Sequence, residues 1–346
     1  LHPQLLISLV EHFKQAKILV IGDFILDQFI WGNVSRISPE APIPIVFVNK
    51  KTFMFGGALN VVNNIYSLGG KVYPCGVIGK DNHGQILLKK LRKKKIDTEG
   101  IVIDNQRPTT LKTRIIAHHQ QVVRIDEEKS VPLNENDFSR FLDYIKKKIS
   151  KVDLVLIEDY NKGVITPALL QEVSKLVKLH NKIITVDPKE EHFSYYKGVD
   201  VLTPNYQEAL KAVENLCPHC VKKSDLGDVG KKLLQRLKCK AVLITLGEKG
   251  MCLFEKGKVI NIPTLAQDVF DVSGAGDTVI ATFSLAICAG ATMEEAAYVS
   301  NYAAGIVVGK MGISTVTQEE IKCQISKINW RFNSNTNSDK EMQRFG

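Results

Sequence analysis

The chain has 346 residues, 44% hydrophobic and 24% charged, which is the make-up of a globular domain and not of a disordered or fibrous chain. No apolar run approaches the roughly 18 residues of a membrane span, so a membrane partner is not expected. The formal charge of +9 would suit nucleic acid, yet "LRKKK" (91–95) and "IKKKIS" (145–150) carry no interleaved aromatics; they read as solvated helix faces, and an anionic small substrate fits the excess equally well.

The first stretch, "LHPQLLISLVEHFKQAK", has neither a basic n-region nor a small-residue cleavage site, so it reads as an amphipathic helix and not as a signal peptide. "KILVIGD" (17–23) is a buried strand, "GALNVVNNIYSLG" (57–69) a helix ended by glycines, "KVYPCGVIG" (71–79) a strand and "DNHGQILLKKLRKKK" (81–95) a helix. Later, "DLVLIEDY" (153–160), "NKIITVDPK" (181–189), "VDVLTPN" (199–205) and "AVLITLG" (241–247) are short apolar runs that end in polar or glycine-containing clusters, with helical segments between most of them. Such alternation predicts an α/β fold: a three-layer α/β/α sandwich whose mainly parallel sheet is covered on both faces.

Two regions break the alternation. Residues 29–55 hold extended, proline-marked pieces without a helical period, and "TLKTRIIAHHQQVVRIDEE" (110–128) has the form of a β-hairpin. Together they predict a small β-sheet lid, inserted at about 29–55 and 109–128 into a single domain spanning 1–332. The polar tail, 333–346, is expected to be disordered. Seven cysteines, an odd number scattered along the chain, suggest reduced thiols in a cytoplasm, and "CPHC" (217–220) has no second half to complete a zinc site.

Ligands of open parallel sheets sit beyond the carboxyl ends of the strands, and that is where the polar clusters fall: "GDFILD" (22–27), "EDY" (158–160), "DPK" (187–189), "TPNYQE" (203–208), "TLGEKG" (245–250) and "DVSGAGDT" (271–278). No Gly-x₄-Gly-Lys-Ser/Thr occurs, which excludes a P-loop. "GAGDTV" fails the dinucleotide fingerprint at Val279, and no Gly-x-Ser-x-Gly elbow appears. "SGAGD" has two readings. Gly274, Ala275 and Gly276 can cradle a phosphate on the free N–H groups of a helix start, with Asp277 at the mouth to accept a proton. Equally, Asp271 or Ser273 can cap the helix while the glycines serve close packing. "GGALN" (56–60) is a second glycine pair entering a helix, suited to sugar hydroxyls or to tight packing. "NYQE" (205–208) is either a capping box or a place for a hydrated Mg²⁺.

"GGALN" early, "DVSGAGD" late, and "TPNYQE" and "TLGEKG" between them resemble the ribokinase-like (phosphofructokinase B type) carbohydrate kinases over roughly residues 15–320. "SRISPEAPIPIV" (35–46), "EDYNKGV" (158–164), "DVFDVSGAGDTVIAT" (268–282) and "AAGIVVGKMGISTV" (303–316) narrow the resemblance to the heptose-7-phosphate kinase domains of bacteria. Those are often fused to a nucleotidyltransferase, for which this chain has neither a His-x-Gly-His nor the length.

The resemblance implies transfer of the ATP γ-phosphoryl group, with Mg²⁺, to O1 of heptose 7-phosphate, a lipopolysaccharide precursor. It makes Asp277 the catalytic base and Gly274, Ala275 and Gly276 the anion hole. Beside a helix N-terminus that base is expected to be ionised and only weakly basic. The resemblance puts the sugar on Asp27, Gly56, Gly57, Asn60 and Asp159. Arg36, Lys112, Arg114, Arg124 and Lys162 are the candidates for the sugar's own phosphate. ATP falls to Asn205, Tyr206, Gln207 and Glu208 with Lys189, Thr245, Gly247, Gly250 and Asn301, and Mg²⁺ to Glu208 through water. Homodimers through the lid sheet are also implied. The rivals are a kinase for another sugar or sugar phosphate, a sensor that binds nucleotide or sugar phosphate without catalysis, and a thiol oxidoreductase using "CPHC".

Overall fold

The structure, a computed structural model, describes residues 2–118, 120–217, 225–265 and 269–327. In chain order its elements are α1 (Pro3–His12), β1 (Lys17–Gly22), β2 (Phe24–Ile37), β3 (Pro44–Gly57), α2 (Ala58–Ser67), β4 (Lys71–Gly79), α3 (Asn82–Lys93), β5 (Ile101–Asp104), β6 (Thr110–Ala117) and β7 (Gln120–Glu127). There follow α4 (Glu135–Ile149), β8 (Leu154–Glu158), α5 (Pro167–Leu179), β9 (Ile183–Asp187), β10 (Val201–Leu202), α6 (Tyr206–Leu216), α7 (Leu226–Leu237), β11 (Ala241–Thr245), β12 (Met251–Glu255), β13 (Lys258–Ile262), α8 (Ala275–Cys288) and α9 (Met293–Val307).

Nine strands form the main sheet in the order β13-β12-β11-β10-β9-β8-β1-β4-β5. All neighbours are parallel except β11–β12 and β12–β13. Central strands such as "LVLIE" and "AVLIT" are apolar along nearly their whole length because both faces are covered. On one face the core gathers α1, α2, α3, α8 and α9; on the other it gathers α4, α5, α6 and α7. Helix α8 is buried from Asp277 to Ile287, with no solvent face, which explains its small and apolar sequence.

The second sheet has four strands, β3-β2-β6-β7. Its extended pieces are the two regions that broke the helical alternation. It begins earlier than the sequence suggests, since β2 starts at Phe24, one residue after the polar end of β1. Strand β2 pairs antiparallel with β3 and parallel with β6, setting Asp27 opposite both Met54 and Lys112.

Five of the described cysteines are free, but Cys217 is disulfide-bonded, a departure from the expectation of reduced thiols throughout. The remainder of "CPHC" and the tail at 333–346 lie outside the described residues. No helix among the described residues is long and apolar enough to cross a membrane.

Candidate active site

The site forms where β1, β8, β9 and β11 end and α8 begins. Gly274 is the N-cap of α8, with φ +78°, a conformation that glycine alone adopts without penalty. A Cβ there would also lie 2.6 Å from Asn60 Nδ2. Asp271 does not cap the helix. It shapes the preceding turn, its Oδ1 accepting from the Ser273 N–H at 2.8 Å. Of the three residues assigned to the cradle, Ala275 already donates its N–H to the Val272 carbonyl at 3.2 Å. A Cβ on Gly276 would meet nothing nearer than Asp187 Oδ2 at 3.9 Å, so this glycine is not required by packing.

Asp277 is 5% exposed and held from two sides. Asn60 Nδ2 donates to its Oδ2 at 2.6 Å, and the Tyr160 hydroxyl donates to its Oδ1 at 2.9 Å. Burial pushes its pKa from 3.8 to about 6; the two hydrogen bonds pull it down and the charge of Asp27 pushes it up. The weakly basic carboxylate expected from the helix terminus is therefore corrected: loss of water outweighs the donors around it. A carboxylate poised near 6 is a competent general base at neutral pH.

Tyr160 reaches Asp277 because Asp23 fixes the loop that carries it. Asp23 is 1% exposed, and its carboxylate accepts from the N–H groups of Tyr160, Lys162 and Val164 at 2.9, 3.0 and 3.1 Å. Burial first, and the charge of Asp159 second, lift Asp23 to about 6 despite these donors. Neither Asp23 nor Tyr160 was singled out from the sequence, although "GDFILD" and "EDY" contain them.

Asp159, expected on a sugar hydroxyl, has its side chain fully buried. It accepts from the Tyr196 hydroxyl, from His192 Nδ1 at 2.7 Å and from the Asn161 N–H at 2.8 Å. The structure thus turns Asp159 into the protein and brings its neighbour Tyr160 to the site.

Of the residues expected on the sugar, Asp27 is 3% exposed and paired with Arg114. Gly56 lets β3 pass close by, since a Cβ would fall 2.0 Å from Asp27 Oδ2. Gly57 is the N-cap of α2, which projects Asn60 towards Asp277. The candidate cations are engaged by carboxylates: on the lid, Lys112 with Asp126 at 3.2 Å and Glu128 at 3.8 Å and Arg124 with Asp126 at 2.9 Å; in the loop after β8, Lys162 with Glu128 at 2.6 Å. Arg36 is not brought to this cluster. It sits towards the far end of β2 over the Phe47 ring, 5.9 Å from its centroid.

Of the residues expected on the nucleotide, Thr245, Gly247, Gly250 and Asn301 share a cleft of about 410 Å³ with Ala275 and Gly276. Asn205, Tyr206 and Gln207 line an adjoining cleft that shares Thr245 and Gly247. Glu208 and Asn205 make the capping box in full, at 2.9 and 3.0 Å. The Lys189 side chain acts on Glu208 by charge, lowering a carboxyl that burial raises.

The stronger acidic centre is elsewhere. One oxygen each from Glu158, Asp187 and Asp277 lies within 4.8 Å of the others. Glu158 Oε2 is buried without a hydrogen-bond partner. Burial, then the charges of Asp187 and Asp277, lift Glu158 well above its usual range; burial, then Glu208 and Asp277, do the same to Asp187. Crowded hard oxygens with an orphaned acceptor fit Mg²⁺, with Glu208 close enough to contribute charge. Sequence reasoning placed Mg²⁺ at Glu208 alone. The missed signal was two strands ending in carboxylates, at Glu158 and Asp187.

A buried carboxylate at a glycine-started helix, beside a cleft of about 410 Å³, suits a phosphotransferase with an alcohol acceptor. The chain belongs to the pfkB family of carbohydrate kinases, whose profile matches residues 15–320. It is 44% identical over 306 residues to the bifunctional protein HldE of Helicobacter pylori (strain J99 / ATCC 700824), covering 88% of this chain and 65% of that protein. The protein of the same name from Desulfatibacillum aliphaticivorans is 43% identical over 319 residues, covering 91% and 64%. The chain thus spans just under two thirds of these relatives' length. Among solved structures, Arabidopsis thaliana ribokinase complexed with ribose and ATP matches 90% of this chain and 98% of that one, with TM-score 0.69 at 20% identity. Escherichia coli phosphofructokinase-2 in complex with substrates and products matches 91% and 99%, with TM-score 0.71 at 16% identity. At these identities the likeness concerns the fold, and it is the ribokinase-like fold the sequence led us to expect.

Two outcomes test this geometry. Gly276→Ala meets no steric neighbour, so its melting temperature should match wild type while kcat falls at least about tenfold if the amides here face a transferring phosphoryl group; unchanged kcat would remove Gly276 from the cradle. The rate should rise with pH through about 6 as Asp277 ionises. In Tyr160→Phe a donor that lowers this pKa is lost, so the acid limb should move to higher pH, and activity at pH 6 should drop more than at pH 8. A limb that stays in place would show that Tyr160 does not tune the base.

Proposed function

We propose that the chain transfers the γ-phosphoryl group of ATP to O1 of D-glycero-D-manno-heptose 7-phosphate, giving the 1,7-bisphosphate and ADP. The observation that carries phosphoryl transfer is the buried Asp277, clamped by Asn60 and Tyr160 at the mouth of α8. The choice of heptose 7-phosphate rests on the resemblance of "SRISPEAPIPIV" and "EDYNKGV" to heptose-7-phosphate kinases, and on the 43–44% identity to the HldE proteins.

Asp277 takes the proton of the O1 hydroxyl as the new O1–phosphorus bond forms and the bond to the departing ADP oxygen breaks. The first turn of α8, with Gly274 and Gly276, faces the charge that builds on the transferring group, and its dipole favours that charge. Asp27, Gly56, Gly57 and Asn60 orient the sugar. In this reading ATP lies across the Thr245–Gly250 turn, with Asn301 beside it and the Asn205–Glu208 turn and Lys189 towards its phosphates. Mg²⁺ at Glu158 and Asp187 would neutralise phosphate charge. Asp277 itself is kept for the proton.

A homodimer through the lid is part of the proposal. Ile37, Phe47 and Val48 on β2 and β3, and Val123 and Ile125 on β7, are between 44% and 59% exposed. That much apolar surface on a four-stranded sheet suits a second copy of the same sheet. Scattering should give the mass of a dimer, and Phe47→Lys should convert it to monomer; a wild-type monomer at micromolar concentration would remove the dimer from the proposal.

The deciding assay is ATP consumption against a panel of sugars and sugar phosphates. Heptose 7-phosphate should be the best acceptor, and Asp277→Asn should lower kcat by about a thousandfold or more, the combined loss of the proton acceptor and its positioning. Rapid turnover of a different acceptor with none of heptose 7-phosphate would replace the substrate. Undiminished turnover in Asp277→Asn would displace the base.

A further inference from the structure

Of the lid cations that the sequence offered for the substrate's phosphate, Arg36 stands apart over the Phe47 ring, and Lys112, Arg114 and Arg124 already hold carboxylates. The structure contains another group of cations that does not. A pocket of about 510 Å³ opens between β3, α2 and the end of α3, and three lysines line it: Lys90, Lys93 and Lys94. Spaced i, i+3 and i+4, they share one face of α3 at its last turn. None is in an ion pair, and no carboxylate lines the pocket among the described residues. Aromatic rings flank them instead: Lys94 lies 4.9 Å from the Tyr66 ring centroid and Lys90 5.8 Å from that of Phe55. Rings steer an ammonium without neutralising it.

Lysines at a helix C-terminus complement the helix dipole, which accounts for their sign. It does not account for their setting. Burial and the neighbouring Lys94 and Lys93 together hold the Lys90 ammonium below its ordinary range, so the cluster carries mutual repulsion that an anion would relieve. The opposite wall of the pocket offers Asn60 and Asn63, one turn apart on α2. The side-chain oxygens of both are buried and have no hydrogen-bond partner. Orphaned acceptors call for hydroxyl donors, and free ammonium groups call for an anion. A phosphorylated polyol supplies both. Asn60 ties the pocket to the chemistry, since its amide nitrogen is the one that holds Asp277 at 2.6 Å.

We propose that Lys90, Lys93 and Lys94 form the subsite for the phosphate that the sugar substrate already carries, with Asn60 and Asn63 receiving its hydroxyls. This rests on the sugar-kinase reading above and deepens it: the substrate class is a sugar phosphate, recognised at the end of α3 and not by the lid.

The test compares wild type, the triple variant Lys90→Gln/Lys93→Gln/Lys94→Gln, its Lys→Arg counterpart and Lys112→Gln, using heptose 7-phosphate, other sugar phosphates and unphosphorylated heptose as acceptors. The Gln triple should raise KM for the sugar phosphate about ten- to hundredfold, with KM for ATP and the melting temperature unchanged. The Arg triple should restore much of the affinity, and unphosphorylated heptose should be insensitive to all of them. Turnover of heptose 7-phosphate with an unaltered KM in the Gln triple overturns the subsite and leaves the proposed function standing. Lysine-dependent turnover of a different sugar phosphate supports the subsite and overturns the heptose assignment. Turnover of unphosphorylated sugars alone overturns both.

Discussion

Everything at the site depends on keeping one carboxylate away from water. Asp277 opens a helix that has no solvent face, so its ionised form lacks the solvation it would have on a surface. Two donors replace part of that solvation, Asn60 from α2 and Tyr160 from the loop after β8. Each depends on further structure: Asn60 approaches only because Gly274 has no Cβ, and Tyr160 only because Asp23 gathers three N–H groups of its loop. Four separate stretches of chain therefore converge on one acid, and the pKa of about 6 is the balance between desolvation and these bonds. Fewer donors would raise its pKa further. Exposure to solvent would return it to an ordinary, weakly basic carboxylate.

The glycines separate into two kinds, which a sequence motif cannot do. Gly56 and Gly274 are demanded by close approach, to Asp27 and Asn60 respectively, so they serve the site by letting other side chains in. Gly276 is under no such demand. A position that would accept a methyl group, yet carries none beside a cleft, is better explained by room left for a ligand than by the fold. Of the two readings of "SGAGD", the side-chain cap is not what the structure contains: Asp271 and Gly274 shape the turn, with Gly274 itself as N-cap, and Gly276 keeps room for the proposed cradle.

The layered fold could be read from the chain because it depends on local patterns. Runs such as "LVLIE" and "AVLIT" are apolar on both faces, and parallel pairing follows from the helices between them. The lid could be read because its residues lack a helical period. The partners of charged side chains could not, because pairing is a property of distance in space. Lys112 and Arg114 were rightly placed on one strand, yet nothing in "KTR" shows that Asp126 and Asp27 would occupy them. "EDY" gave three polar residues at a strand end, and alternation cannot tell which faces the ligand once the strand has ended; the structure buries Asp159 and delivers Glu158 and Tyr160. The basicity of Asp277 was misjudged for a related reason: the helix terminus is visible in sequence, whereas the depth of burial is set by elements hundreds of residues away.

The distribution of charge gives the site its polarity. Carboxylates from β8 and β9 crowd one side of Asp277, where a cation relieves them. Unpaired ammonium groups at the end of α3 crowd the other, across Asn60, where an anion relieves them. On the proposed reading a nucleotide phosphate, with its metal, would suit the first side, while a bare sugar phosphate would suit the second and be repelled by the first. Like charges would then discourage the wrong placement of two phosphate-bearing substrates, and the acceptor hydroxyl would lie beside the carboxylate between them. The excess of basic residues in the composition is, on this view, partly local to the site: some lysines decorate helix faces, but Lys90 and Lys94 in the α3 pocket lie against aromatic rings in a place where an uncompensated charge would have a use.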